Sequence, residues 1–188
     1  MASKQTYKYI ISNSILGQQP DEYSLTVQEY YRIYSFFVTY SICGNQSAKK
    51  RTFSDYGWQD EKIKNSPLGE ALYGVINLNR NNNFIFTEKD DLREKFETCN
   101  LLDGEITNLD IERGVIGKTS ETCKHLKLFY RIRNAFAHGK FKLRLSDTNE
   151  RIVVIQDDNG NNVTARIVLK LSSILSFIDA TDINGLIR

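Results

Sequence analysis

The sequence predicts a mainly α-helical fold: a helical bundle over about residues 5–138 and 170–182, with a small antiparallel β element over about 140–169. Two observations support this prediction. Apolar residues recur at helical spacing along most of the chain as far as Gly139. Beyond that glycine the spacing changes to the two-residue period of strands. We therefore expect a bundle that ends in a β element.

The stretch from Leu126 to Phe141 carries the strongest pattern. It is predicted to be the last part of an amphipathic helix that ends at Gly139. At about 100° per residue, its apolar side chains fall within one arc of about 120°. These residues are Leu128, Phe129, Ile132, Ala135 and Phe136. The opposite side, which must meet water, a partner or a substrate, carries Tyr130, Arg133, Asn134, Ala137 and His138.

Capping residues and apolar spacing predict five further helices. They cover Lys8–Leu16, Ser24 to about Ile42, Ser66-Pro67 to about Asn79, Thr87 to about Asn100, and Leu171–Ala180. The second of these is apolar or aromatic nearly all round, which favours core packing over a base-stacking platform. Thr119 or Ser120 is expected to cap the helix that carries Arg133 and His138.

Three short antiparallel strands are predicted after this helix. Phe141–Leu145 alternates apolar and polar residues, and Arg151–Gln156 and Val163–Leu169 are rich in β-branched residues. Asp158–Asn161 has the composition of the turn between the last two. The glycine-punctuated stretch Asp103–Lys118 allows no assignment.

Composition excludes several classes of protein. With 188 residues and neither repeats nor a low-complexity linker, we expect a single domain over 1–188. Three widely spaced cysteines suggest neither a disulfide framework nor a zinc site. No clustered ligand pattern suggests a metal or another cofactor. The absence of a signal-like or membrane-spanning segment favours a cytoplasmic protein.

Charge is informative only locally. The net charge is +2 and the pI is about 8.3, which neither favours nor excludes nucleic acid as a partner of the whole surface. Basic residues do gather near the helix end, without a carboxylate between Glu121 and Asp147. They are Lys124, Lys127, Arg131, Arg133, Lys140, Lys142 and Arg144. A bound RNA would have to be attracted by this segment.

Two other features are given structural interpretations. His125 falls within the apolar arc and is predicted to be a packed, hydrogen-bonded core histidine, in contrast to His138. Gly114–Thr119 is similar to a phosphate-binding loop, but Glu112 stands where that motif requires its first glycine. We interpret this segment as a loop before a capped helix.

The helix end resembles a known family. Arg133-Asn134-x-x-x-His138, followed by Gly139 and by strands ending in Ala165–Lys170, resembles the Arg-x4-His motif of HEPN-domain proteins. The likeness is greatest to the small plasmid- and phage-defence HEPN ribonuclease branch. The resemblance implies a helical bundle that dimerises, and many members are metal-independent endoribonucleases, so a toxin or anti-phage defence setting is expected.

The chemistry of the motif fits RNA cleavage. RNA carries its own nucleophile, the 2′-hydroxyl, so such an enzyme needs proton transfer and charge stabilisation. We expect His138 to be the general acid/base, Arg133 to bind the phosphate through its forked donors, and Asn134 to position them. The products would be a 2′,3′-cyclic phosphate and a 5′-hydroxyl. Substrate-binding roles are predicted for Lys127, Tyr130, Arg131 and Lys140.

One histidine cannot serve as base and acid at opposite ends of one displacement. In the family two motif helices meet in a homodimer, and the small Ala137 is compatible with such an approach. Some HEPN toxins carry a tyrosine, which an antitoxin modifies, two residues after the motif histidine. Lys140 stands there instead, which argues against that kind of antitoxin but leaves another defence-system partner open. The alternatives are a non-catalytic dimerisation, RNA- or nucleotide-binding module, and a phage-encoded decoy.

Overall fold

The computed structural model describes residues 24–43, 49–58, 67–76, 83–88, 92–102, 106–121, 123–160 and 162–187. Its helices are α1 (Val27–Ile33), which continues as a π-helix (Tyr34–Thr39), α2 (Pro67–Val75), α3 (Arg93–Thr98), α4 (Lys124–Ala137) and α5 (Leu171–Thr181). Its strands are β1 (Phe84–Phe86), β2 (Arg113–Ile116), β3 (Phe141–Leu145), β4 (Arg151–Asn159) and β5 (Asn162–Lys170).

The prediction of a mainly α fold is wrong. The strands form one five-stranded mixed sheet in the order β1-β2-β5-β4-β3, in which β1 and β2 are parallel and the other neighbours antiparallel. The three predicted strands after α4 are present, but β1 and β2 lie inside the stretch assigned to the bundle. Each has only three or four residues, too few for a two-residue period to be recognised.

Both faces of this sheet are covered. Along β4, Val153 and Ile155 join the larger apolar cluster, which also contains α4, α5 and the π-helix. The alternate residues Ile152 and Val154 join a second cluster with Phe96 of α3. Because successive side chains of a strand point to opposite faces, the sheet separates two cores, and α4 lies on the larger one.

Three of the predicted helix caps are wrong by a few residues. The first described helix is capped by Thr26 in a capping box with Glu29, and not by Ser24. The structure has Leu92 and Cys123 at the positions before α3 and α4, in place of Thr87 and of Thr119 or Ser120. Polar residues also stabilise loops, so a nearby serine or threonine does not identify the cap.

The aromatic stretch of the first helix divides between core and surface. Phe36 and Phe37 are fully buried and contact Phe129 of α4 at ring-centroid distances of 5.3 and 4.7 Å. Tyr30 and Tyr31 are half exposed. The core prediction is therefore confirmed for the π-helical part and wrong for the start of α1.

The predicted apolar face of α4 is confirmed, since all five residues of its arc are buried. The helix ends as Gly139 predicts. Gly139 has a φ of 66°, Lys140 N–H donates to the carbonyl of Ala135, and Gly139 N–H donates to that of Phe136. This Schellman arrangement needs a left-handed residue at the glycine position. It leads the chain directly into β3 and holds His138 at the helix end.

The remaining predicted helices differ in how much of them the structure describes. The helix over Lys8–Leu16 and the cap Ser66 lie outside the described residues, whereas Pro67 does begin α2. The last helix is confirmed to within one residue. In the part of the chain that the structure describes, every helix is too short or too polar to cross a bilayer.

His125 is buried, as its place on the helix predicts. It is 3% exposed, and its ring meets the Tyr73 ring edge-on at 4.3 Å. Its Nε2 has no hydrogen-bond partner among the described residues, so the predicted hydrogen bond is not found at that nitrogen. Burial, with the nearby charge of Lys124, lowers the pKa of His125 from 6.5 to about 4. The imidazole is therefore neutral in the folded protein at physiological pH.

We expect this histidine to make the folded protein less stable in acid. Between pH 6.5 and about 4 the unfolded chain binds a proton that the folded chain does not. The free energy of unfolding should therefore decrease as the pH is lowered through that window, by up to about 1.4 kcal/mol per pH unit. Urea unfolding of wild type and His125→Phe across the window tests this. Identical slopes would contradict it.

Candidate active site

A polar pocket opens beside the second half of α4. Its volume is about 590 Å³, within the range of pockets that hold small organic ligands. It is lined by Ile42, Cys43, Lys50, Lys118, Thr119, Ser120, Glu121, Tyr130, Arg131, Arg133, Asn134, His138, Asp158, Asn159 and Thr164. Residues from the π-helix end, the loop before α4, α4 itself and the β4–β5 hairpin therefore meet there.

The three predicted catalytic residues line this one pocket. Arg133 is buried, Asn134 is half-buried and His138 is exposed. The first two project from the last two turns of α4, and His138 is its C-cap. Because the helix end is held by the Gly139 turn, the spacing between these side chains is fixed by backbone geometry.

Arg133 is a buried cation that has no ion-pair partner in the part of the chain that the structure describes. It is 7% exposed, and its Nη1 donates to Oδ1 of Asn134 at 2.9 Å. Among the described residues no carboxylate forms an ion pair with it, and its Nε has no hydrogen-bond partner. Keeping a charge out of water is costly unless it is compensated. The arrangement is suited to an anion that enters the pocket.

Arg131 also lines the pocket, but unlike Arg133 it is paired with a buried carboxylate. Its Nη1 forms an ion pair with Asp157 at 2.7 Å and donates to Thr164 at 2.8 Å. Its Nη2 donates to the carbonyl of Lys118. These contacts join α4 to the sheet and to the preceding loop. The predicted substrate-binding role of Arg131 stays untested, but its charge is already compensated by Asp157.

The other predicted substrate-binding residues are divided. Tyr130 is half-buried in the pocket lining. Lys127 and Lys140 are outside that lining and form ion pairs with Glu88 and Asp158, respectively. The structure therefore brings Tyr130 together with the motif, and does not bring Lys127 or Lys140 there.

Sequence reasoning missed the loop before α4 as a part of the pocket. Lys118, Thr119 and Ser120 line the pocket, whereas the sequence predicts only a structural role for this loop. Lys50 approaches from a distant part of the chain. The likeness of Gly114–Thr119 to a phosphate loop was a usable signal for the loop, whereas for Lys50 the sequence held none beyond a short basic run.

A cysteine and two carboxylates also belong to the pocket lining. Burial raises the pKa of the Cys43 thiol to about 12, so it stays protonated and is a poor nucleophile. The carboxylates of Glu121 and of Asp158 line the pocket too, and the latter is paired with Lys140. Within the described ranges, no group of three or more His, Cys, Asp or Glu residues is placed to hold a metal ion.

The contrast between the two arginines predicts opposite effects on stability. Arg133→Met should raise the free energy of unfolding by about 1 kcal/mol or more, because it removes an uncompensated buried charge. The matched variant Arg131→Met should lower it by about 3 kcal/mol, because it leaves Asp157 buried without its partner. Urea unfolding at neutral pH measures both. Equal losses would show that Arg133 is compensated as well.

Comparison with known proteins gives one family. Residues 61–184, more than half of the chain, match the model of the family described as HEPN pEK499 p136. Neither the curated proteins nor the solved structures provide a match. The matched range includes α4 with Arg133, Asn134 and His138, and the whole five-stranded sheet. The chain therefore belongs to the HEPN pEK499 p136 family, a plasmid-associated branch of the HEPN-domain proteins.

Proposed function

We propose that this protein is a metal-independent endoribonuclease that acts as a homodimer in a toxin or anti-phage defence setting. HEPN membership points to a ribonuclease or nucleotide-related function. The observation that carries the finer proposal is the buried guanidinium of Arg133, which forms no ion pair with a described residue and shares a polar pocket with an exposed imidazole. A phosphodiester would supply the anionic partner that the described residues do not give Arg133.

The proposed reaction needs only groups of the RNA and of the protein. The 2′-hydroxyl oxygen attacks the adjacent phosphorus and loses its proton to an imidazole. The bond from phosphorus to the 5′-oxygen breaks, and that oxygen receives a proton, which leaves a 2′,3′-cyclic phosphate and a 5′-hydroxyl. Arg133 stabilises the charge that gathers on the phosphoryl oxygens. His138 transfers protons, for which an exposed imidazole is suited.

RNA binding is supported by the remaining pocket wall. Lys50 and Lys118 add positive charge near Arg133, and such charges attract a polyanion. Tyr130 and Ile42 provide apolar surface on which a base can lie. The pocket is large enough for a nucleotide, so we propose that it holds the nucleotide next to the scissile phosphate.

We expect His138→Ala to cleave RNA about 10² to 10⁴ times more slowly than wild type. Its stability against unfolding should be unchanged, because the His138 side chain is exposed. The measurement is cleavage of a labelled RNA in EDTA, with analysis of both new ends. A substrate with 2′-deoxyribose at the cleavage site is the chemical control. An unchanged rate in the folded variant, or cleavage of the deoxy substrate, would remove the proposal.

A dimer supplies the second imidazole that in-line displacement requires. Ala137 and His138 are exposed at the end of α4, so a second copy can approach the motif. Tyr30 and Tyr31 of α1 are exposed as well. Tyr34 connects Tyr30 to the end of α4, because its ring stacks on Tyr30 and meets Phe136 edge-on. An isologous contact here would bring two motifs to one cleft.

Subunit mixing tests this shared cleft. When wild type exchanges with an equal amount of His138→Ala, random pairing leaves half of the wild-type subunits in wild-type dimers. Activity per wild-type subunit should therefore fall to about half. The control is mixing with Lys49→Ala, a change at an exposed residue outside the pocket lining. An activity that does not change on mixing with His138→Ala would show that each subunit acts alone.

The second candidate is a non-catalytic module that binds RNA or a nucleotide. It is favoured by the size of the pocket and by its formation within one chain. The RNA incubation that tests the nuclease separates the two: binding that depends on Arg133 without any new RNA ends supports the module.

A further inference from the structure

Asp157 is a buried carboxylate directly beneath the candidate active site. It lies in β4 on the sheet face that carries Val153 and Ile155, which is the face toward α4. It is 1% exposed. Its Oδ2 accepts hydrogen bonds from Arg131 at 2.7 Å and from Asn134 at 3.4 Å. One carboxylate thus joins the sheet to two side chains of the helix.

A bulge between β4 and β5 supports this carboxylate. In the β4–β5 ladder, Asp157 pairs with Ala165 and Asp158 pairs with Val163, so Thr164 has no paired residue on β4. The Thr164 hydroxyl accepts from Arg131 at 2.8 Å and donates to the Asp157 backbone carbonyl at 3.1 Å. Gly117 N–H binds the Thr164 carbonyl at 2.8 Å. Bulges beside active sites commonly redirect a side chain. Here the bulged Thr164 contacts Arg131, Asp157 and Gly117, and these contacts fix the surroundings of the Asp157 carboxylate.

The Asn134 amide lies between a cation and an anion. Its oxygen accepts from Arg133 Nη1 at 2.9 Å, and its nitrogen donates to Asp157. The reversed amide would set its NH₂ against the guanidinium and its oxygen against the carboxylate. The charges on the two sides therefore select one orientation. An amide suits this place because it accepts on one side and donates on the other.

We propose that Asp157 is a positioning residue of the site. It holds the Asn134 amide in one orientation, and the amide holds the Arg133 guanidinium at the pocket wall. This inference rests on the proposed function, because the relay matters through the contact of Arg133 with a phosphate.

The relay orients Arg133 without neutralising it. A carboxylate placed directly on the guanidinium would fix its direction but cancel the charge that a phosphate needs. Here the charge of Asp157 is balanced by Arg131, and the hydrogen bond that Arg133 makes within the described residues goes to a neutral amide. Because Arg131 balances its charge, Asp157 can lie next to a site that binds phosphate.

Two double variants separate positioning from charge balance. Arg131→Met/Asp157→Asn and Arg131→Met/Asp157→Leu both remove the buried ion pair, so neither leaves a lone charge. The asparagine can still accept from Asn134, whereas the leucine cannot. We expect kcat for RNA cleavage to be about 10- to 100-fold lower in the leucine variant than in the asparagine variant, with KM changed much less. Thermal unfolding verifies that both are folded.

Equal kcat values in the two folded double variants would overturn the inference and leave the nuclease proposal intact. If wild type does not cleave, the nuclease proposal fails by itself, and the inference is then tested by binding. The probe is a 2′-O-methyl RNA oligonucleotide, which cannot be cleaved by its own 2′-oxygen. The leucine variant should bind it about tenfold more weakly than the asparagine variant, and equal affinities would overturn the relay.

A single change at the other end of the relay covers the case in which the double variants do not fold. Asn134→Asp keeps the size of a half-buried side chain but places a carboxylate on Arg133 and beside Asp157. Binding of the same oligonucleotide at neutral pH should fall at least tenfold and recover as the pH is lowered, because two adjacent carboxylates share a proton in acid. Affinity equal to wild type across this pH range would refute the relay.

Discussion

The buried ion pair between Arg131 and Asp157 connects the helix of the site to the sheet. It is 2.7 Å long and almost fully buried on both sides. Buried pairs of this kind contribute little net stability, but removing one partner is costly. The pair therefore acts chiefly as a constraint: it holds α4 over β4 in one register and leaves the neighbouring Arg133 facing a polar pocket without an acidic partner among the described residues.

An aromatic core supports this arrangement from the opposite side of α4. Phe37 of the π-helix contacts both Phe129 and Phe136, and all three rings are buried. Burying aromatic surface of this size contributes a few kcal/mol per ring. Apolar packing can therefore offset the cost of an uncompensated cation, which is a common balance between stability and function. The π-helical segment also leads toward Cys43 and the pocket wall, and such segments are frequent at functional sites.

The last helix and its surroundings were largely predictable from the sequence. The apolar arc of α4, the stop at Gly139, the strands after it and α5 all follow from local periodicity and turn chemistry. The polar side chains that line the pocket from α4 follow from the same spacing. The short strands β1 and β2 did not follow, because their pairing is set by β5 and by each other. Strand pairing between distant segments has no signature within three or four residues.

The sequence by itself determined which residues of α4 face the core. It also placed Arg133, Asn134 and His138 together on the other side of the helix, because a helix repeats every 3.6 residues and local spacing defines its faces. Only the tertiary structure decided which of two nearly adjacent arginines is neutralised. That choice depends on Asp157, on a bulge at Thr164 and on the loop at Lys118, all of which reach α4 from other parts of the chain. Electrostatic compensation is a property of distances in space, and local sequence does not contain those distances.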